Sequence, residues 1–312
     1  MAITDRRSAI RGFVLFMAFC ASSCCRSMTS LVDPRLLVPS SGRTYEHAPR
    51  FDVKIERYVW HDAARDRDVP VTLYVPAAPG RHPVAVFSHG IGEDRDSYAY
   101  LGRALAERGY LAVHITHAGT DKATLQRGYR TLYRATKEKQ NWVDRPRDVS
   151  FVLDQLRVRP DADMDRIAAL GHSAGAFTVL ALAGMRLTGG TLEDERVKVG
   201  VAISMPKMPG VVAPGGYDAL AVPILHLTGT CDTSLIYRTF PRDRRVPFEQ
   251  THAPHQYLVT LQGVTHDTFS NAEDAHHEEI VKIVTAFLDA WLLGNGDARA
   301  WFDEGGVPVE RK

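Results

Sequence analysis

The chain has 312 residues, of which 45% are apolar, and its 38 Lys plus Arg nearly cancel 37 Asp plus Glu to leave a formal net charge of +1. That apolar fraction can bury a full core in one large α/β domain or two small ones, and the near-neutral balance excludes a whole-molecule field for nucleic acid or another strongly charged polymer. No repeat at a period of 20–50 residues and no low-complexity tract is visible.

Residues 1–25 have the pattern of an export signal: Arg6, Arg7 and Arg11, then an apolar run over 12–19, then small residues up to Cys24 and Cys25. The run is shorter than the roughly 20 residues that span a bilayer. Cleavage before Cys24 would expose a cysteine for lipidation, although Ala21 stands where such signals usually carry leucine. The expectation is an exported protein, periplasmic, secreted or lipid-anchored, attached to a membrane only through an N-terminal lipid. Cys20, Cys24 and Cys25 lie in this region, and only Cys231 remains in the body, which therefore holds no disulfide framework of its own.

Residues 26–50 form an irregular leader rich in Pro, Ser and Arg. Alternating apolar residues predict strands over 53–60 and 69–76, an antiparallel edge pair with one wet face. From Pro83 the runs become continuously apolar, as strands covered on both faces require. Such strands are predicted over 84–88, 110–115, 167–170, 199–204, 223–228 and 257–261, and helices over 97–108, 144–156, 174–185 and 277–293. Strands alternating with helices imply βαβ units and a mostly parallel sheet. The domain so outlined covers 51–295 and leaves 296–312 as a C-terminal tail. Two long basic segments, 118–141 and 235–255, interrupt the alternation after strand ends. They are read as solvated faces, with a lid over the sheet edge that selects an anionic or polar substrate as the alternative.

Gly171-His172-Ser173-Ala174-Gly175 joins an apolar strand to an apolar helix, the context of a nucleophile elbow. A serine hydroxyl reacts at neutral pH only with a base to take its proton and donors for the oxyanion. The partners of a G-x-S-x-G serine follow in the order acid, then histidine. Asp232 sits just past a strand end, and His266 lies between the last strand and the closing helix. Asp218 and Asp267 are rival acids, but Asp218 precedes its strand and Asp267 adjoins the base. The oxyanion donors expected are the backbone N–H groups of Ala174 and Ile91, with Gly90 and Gly92 competing for the second place; His89 shapes that loop. His114 with His117, and His252 with His255, have metal-like spacing, but no carboxylate or cysteine cluster completes a site, so no metal is expected. Met205 and Met208, after a strand end, are candidates to line an acyl pocket, with ordinary packing as the alternative.

The sequences at 87–92, 171–175, 228–232 and 263–266, with the stretch 141–149, resemble the α/β-hydrolase superfamily, and within it the platelet-activating-factor acetylhydrolases and bacterial dienelactone-hydrolase-like esterases. The resemblance covers roughly residues 50–295. It implies an eight-stranded, mostly parallel sheet with helices on both faces, and hydrolysis of a small or lipid-like carboxylic ester by a Ser173–His266–Asp232 triad without a cofactor. Dienelactone hydrolases proper use a cysteine nucleophile where this chain has Ser173, so their substrate is not carried over. Two readings compete with the esterase: an exported peptidase or amidase on the same fold, and a non-catalytic binding protein on a hydrolase scaffold.

Overall fold

The computed structural model describes residues 37–38, 42–45, 50–234, 238–270 and 273–312. The expected export signal, with Cys20, Cys24 and Cys25, lies outside the described residues, as does most of the leader.

The strands are β1 (Leu37–Val38), β2 (Val53–Asp62), β3 (Arg67–Pro76), β4 (His82–Ser88), β5 (Leu111–Ile115), β6 (Ala162–His172), β7 (Val197–Ile203), β8 (Ile224–Cys231), β9 (Gln256–Thr265) and β10 (Val309–Arg311). They form one sheet in the order β1-β10-β9-β8-β7-β6-β4-β5-β3-β2. All eight predicted strands are there, as β2 to β9. The run from β5 through β4, β6, β7 and β8 to β9 is parallel throughout, and β2 and β3 add the antiparallel pair at one edge. Among the described residues the sheet is nevertheless ten-stranded, because β10 pairs with β9 and β1 with β10. Residues 296–312 are thus no tail. They supply a helix and a strand that bury Trp301, Phe302 and Val309, too sparse an apolar pattern to read as structure until the flank of the sheet offers a partner.

The helices are α1 (Ala99–Glu107), α2 (Lys122–Gln126), α3 (Tyr129–Ala135), α4 (Lys139–Leu156), α5 (Ala174–Leu182), α6 (Pro241–Arg244), α7 (Val246–Gln250), α8 (His277–Trp291) and α9 (Gly296–Asp303). One core layer packs α1, α8 and α9 on the sheet through Leu101, Leu105, Ile280, Phe287 and Phe302. The other packs α4 and α5 through Val149, Leu153, Phe177 and Leu180. All seven residues of β4 are buried between the layers, as its uninterrupted apolar run requires. α5 is buried on every side and apolar on every side, the mark of a helix inside the molecule. α4 begins at Lys139, five residues before the predicted start at 144, and runs through Pro146. Trp142 explains the extension: it is buried against Phe177 with ring centroids 5.1 Å apart, and its Nε1–H donates to the Thr136 carbonyl at 3.0 Å. Tertiary packing thus carries the helix across a residue that local rules make a boundary. Cys231, at the end of β8, is disulfide-bonded.

Candidate active site

β6 ends at His172 and α5 begins at Ala174, so Ser173 occupies the whole turn. Its backbone sits at φ 55° and ψ −115°, a conformation costing about 1–3 kcal/mol in a residue with a Cβ. Contacts on both sides hold it there. The Ser173 N–H donates to the Ile203 carbonyl at 2.8 Å. A Cβ on Gly175 would run into the Ser88 carbonyl, and one on Gly171 into the Gly175 carbonyl. The small residues of the motif therefore let α5 dock on the end of β4, which brings the loop after Ser88 beside Ser173.

The two other predicted side chains converge on this turn. Ser173 Oγ lies 3.2 Å from His266 Nε2, and His266 Nδ1 lies 2.8 Å from Asp232 Oδ1. A carboxylate only accepts, so Nδ1 carries the proton and Nε2 is left to receive the serine proton. Asp232 leaves the end of β8 and His266 the end of β9, and these strands are neighbours in the parallel sheet. Serine, histidine and acid thus meet at the carboxyl edge, where α/β folds place their sites. The Asp232 side chain is fully buried, while 14% of the His266 side chain reaches solvent. The rival acids lie elsewhere: Asp218 pairs with His252 at 2.9 Å, and Asp267 is exposed.

Burial by itself would raise the Asp232 carboxyl. The charges of Arg244 and His266, and hydrogen bonds from His266 and Ser204, outweigh burial and hold the group well below the usual carboxylate range. Oδ2 accepts from Ser204 Oγ and, at 2.8 Å, from Thr228 Oγ1. Arg244 Nε is 3.2 Å from Oδ1, with both side chains inaccessible. Arg244 Nη2 is also 3.2 Å from His266 Nδ1; with Nδ1–H already given to Asp232, two donors crowd one carboxylate. Nη1 donates to the Ser204 and Met205 carbonyls at 3.0 and 3.2 Å. The sequence does not single out Ser204, Thr228 or Arg244. Thr228 stands four residues before Asp232, but Ser204 and Arg244 arrive from other loops, and Arg244 reads as one more surface cation.

Of the three amides in the loop after β4, two have partners. The Gly90 N–H donates to Glu93 Oε2 at 2.8 Å and the Gly92 N–H to the Thr120 carbonyl at 2.8 Å. Among the described residues, the Ile91 N–H donates to no protein acceptor. The Ala174 N–H opens α5, where no earlier helical carbonyl can take it. His89 is fixed beneath the loop: its Nε2 accepts from the His117 N–H at 3.0 Å, its Nδ1–H points to the Gly90 carbonyl, and Arg145 donates to its own carbonyl. Burial first, then the charge of Arg145, pushes the His89 imidazole well below its ordinary value, so it stays neutral.

The methionines part company. Met205 is 2% exposed and belongs to the apolar core beside α5. Met208 lines a groove of about 300 Å³ with Pro206, Val212, Tyr217, Asp243 and Val246. None of Ser173, Asp232 and His266 lines it, but Asp243 precedes Arg244, so groove and relay share one short helix, α6. The basic segments also divide. Lys122, Arg127, Arg130, Arg134, Lys137 and Lys139 are all exposed. In the second segment Arg244 and Arg245 are buried instead, and Arg245 makes a double hydrogen bond to Glu310 at 2.7 and 2.8 Å. His114 packs 4.9 Å from the Phe87 ring, and His117 bonds Ser88 and Asp148.

Residues 47–201, just under half of the chain, match the family model described as Chlorophyllase. Among curated proteins, the platelet-activating factor acetylhydrolase of Bos taurus is 25% identical over 233 residues, 61% of this chain and 48% of that protein. The one from Canis lupus familiaris is 22% identical over 232 residues with the same coverage, and the one from Cavia porcellus 26% over 172 residues, 43% of this chain and 38% of that protein. The chain thus spans about half the length, or less, of these relatives. A mostly parallel sheet flanked by two helical layers, an elbow between β6 and α5, and these similarities together give the chain the α/β-hydrolase fold.

Proposed function

We propose that this protein hydrolyses carboxylic esters through an acyl-enzyme on Ser173. The observation that carries the reading is the unbroken relay from Ser173 Oγ through His266 to Asp232 at 3.2 and 2.8 Å. In the first step His266 Nε2 takes the serine proton as Oγ attacks the ester carbonyl. Asp232, held ionised by Arg244, keeps the imidazole in the required tautomer and stabilises the imidazolium. The oxyanion is received by the Ala174 and Ile91 N–H groups; the engagement of the Gly90 and Gly92 amides favours Ile91 over its neighbours. His266 then protonates the leaving alcohol, and water attacks the acyl-enzyme by the same route. Every proton moves between these side chains, substrate and water, so no cofactor or metal enters the sequence of steps.

A small-molecule or lipid-like ester is the substrate class, in keeping with the names of the relatives. The Met208 groove, mostly apolar in its lining, is the proposed seat of the acyl chain. Export through residues 1–25, with a lipid on Cys24 as one form of it, belongs to the same proposal; cell fractionation beside a Cys24→Ser variant tests it. The central experiment is labelling with a fluorophosphonate followed by mass mapping. A single adduct on Ser173 is expected, and a protein that hydrolyses p-nitrophenyl esters but takes no label there would sink the assignment. A panel of short-chain esters against aminoacyl anilides separates the esterase from a peptidase or amidase: turnover of the anilides at rates matching the esters would overturn the ester reading.

A further inference from the structure

We infer that Glu93 is a positioning residue for the reaction, tying the oxyanion loop and the catalytic imidazole into one frame; this rests on the esterase reading above. Glu93 Oε2 accepts the Gly90 N–H at 2.8 Å and the Tyr98 hydroxyl proton. The Tyr98 oxygen lies 2.7 Å from His172 Nδ1, and the His172 ring packs against His266 with centroids 4.6 Å apart. One continuous line of contacts thus runs from the loop that offers the Ile91 N–H to the ring that takes the serine proton.

Three features show that the surrounding structure maintains this line. Tyr98 is 3% exposed and stands at φ 59°, the left-handed region that a tyrosine rarely adopts, so its hydroxyl is aimed at the cost of backbone strain. The Glu93 side chain is half-buried: burial raises its carboxyl above its ordinary value, and the hydrogen bonds from Tyr98, Gly90 and Ser270 and the charge of His266 oppose that rise. Finally, with the Gly90 amide on Glu93 and the Gly92 amide on Thr120, the Ile91 peptide is pinned on both flanks. A peptide is planar, so fixing its neighbours fixes the direction of its N–H. If Glu93 releases Gly90, one flank of that clamp opens, and the donor can rotate away from the point where the oxyanion forms. The ground-state carbonyl is bound with little help from this donor, so the loss belongs to the transition state.

Glu93→Ala, Glu93→Gln and Tyr98→Phe, made in the full chain and assayed with p-nitrophenyl acetate, test the inference alongside binding of a trifluoromethyl ketone, whose serine adduct carries the oxyanion. For Glu93→Ala we expect kcat to fall roughly 10- to 100-fold with KM held within about threefold, and ketone affinity to fall by the same factor as kcat. Glu93→Gln keeps an oxygen acceptor for the Gly90 N–H and is expected to regain most of the loss. Tyr98→Phe leaves the Gly90 bond in place but cuts the link to His172, so a smaller drop in kcat, about threefold to tenfold, is expected at unchanged KM. Unchanged kcat and ketone affinity in Glu93→Ala would overturn the role, and so would a loss that falls wholly in KM. Should Glu93→Ala fail to fold, Tyr98→Phe decides, since it removes one hydroxyl: wild-type kcat and ketone affinity in that variant overturn the frame. Fluorophosphonate labelling of Ser173 in the wild type separates the two readings. Absence of that label sinks the esterase itself, whereas a labelled wild type with indifferent Glu93 variants sinks only the inference.

Discussion

Among its described residues the molecule holds two Ser–His–Asp hydrogen-bonded rows, one at the rim of the sheet and one beneath it. In the first, Ser173, His266 and Asp232 are linked at 3.2 and 2.8 Å. In the second, Ser88 Oγ lies 2.9 Å from His117 Nε2, and His117 Nδ1 lies 3.0 Å from Asp148 Oδ2. Distances and residue types barely distinguish them; backbone, exposure and charge do. Ser173 sits in a strained turn between strand and helix, whereas Ser88 ends a regular strand. His266 touches solvent, whereas His117 and Asp148 have no accessible side-chain surface. Burial, then the charges of Arg145, Arg67 and Arg65, pushes the His117 imidazole well below its ordinary value, so it cannot hold a serine proton. Asp148 meanwhile pairs with Arg65 at 2.8 Å and Arg67 at 2.9 Å. The rim row has the geometry for the proton transfer proposed above, and the buried row anchors the strand end from which the loop of Ile91 departs. Hydrogen-bond geometry alone does not make a triad.

The sharpest way to break this contrast is to remove each serine in turn. Ser173→Ala is expected to lower kcat by on the order of 10⁴–10⁶, while Ser88→Ala loses less than about tenfold and costs about 1–3 kcal/mol of stability. Steady-state kinetics beside urea unfolding measures both; a Ser88→Ala loss rivalling that of Ser173→Ala would erase the distinction. The acids repeat the test. Asp232→Asn lowers kcat on the order of 10⁴ by reversing the tautomer of His266. Asp148→Asn takes one carboxylate from the half-buried Arg65 and Arg67, with Asp62 and Asp144 left to them, and is expected to show instead as about 1–3 kcal/mol of lost stability.

Arg244 comes next in size. Arg244→Met should reduce kcat roughly 10- to 100-fold by loosening Asp232. It also carries a pH signature. The Asp232 carboxyl is depressed in the folded protein, so its stabilisation is complete above the ordinary carboxylate value of about 3.9 and is lost as pH falls through the folded value. The stability gap between wild type and Arg244→Met is therefore widest near neutrality and narrows in acid, as urea midpoints between pH 3 and pH 7 would report. A gap that stays constant with pH would remove Arg244 as the cause of the depression.

Histidine burial gives a shallower effect over a different window. His114 and His226 are pushed down to about 4 by burial, and His89, His117 and His172 well below their ordinary value. Unfolded imidazoles take up protons below about pH 6.5 while these stay neutral, so the unfolded state binds more protons and stability falls as pH drops from there. His226→Gln removes one such group, and its stability should decline less steeply between pH 7 and pH 5; an unchanged slope would refute the account. The smallest expected effect is at Met208. Met208→Ala should shift KM for longer acyl esters by only a few-fold, less than the roughly 1–3 kcal/mol that a methylene is worth in a closed apolar pocket, because the groove is open to solvent. Equal shifts for acetyl and octanoyl esters would remove the acyl chain from that groove.

Much of this architecture is legible along the chain. Continuous apolar runs mark β4 and the buried end of β6, alternation marks β2, and glycines on both sides of Ser173 mark the elbow, because each of these patterns reflects a local steric or burial rule. The order serine, acid, histidine is likewise legible, since a parallel sheet brings successive strand ends to one edge. The edge strand β10 is not legible, because three residues have no periodicity to read and form only on the flank offered by β9. Nor is the difference between Arg242, left in solvent, and Arg244, two residues later and buried against Asp232.

What the sequence determines by itself is which residues occupy strand ends and which turn joins strand to helix through Ser173, for these follow from near neighbours and the period of burial. What only the tertiary structure decides is which charges are desolvated together. Arg244, Glu93 and Asp148 owe their roles to side chains brought beside them from distant segments, and the free energy of a charge depends on those surroundings rather than on its neighbours in the chain.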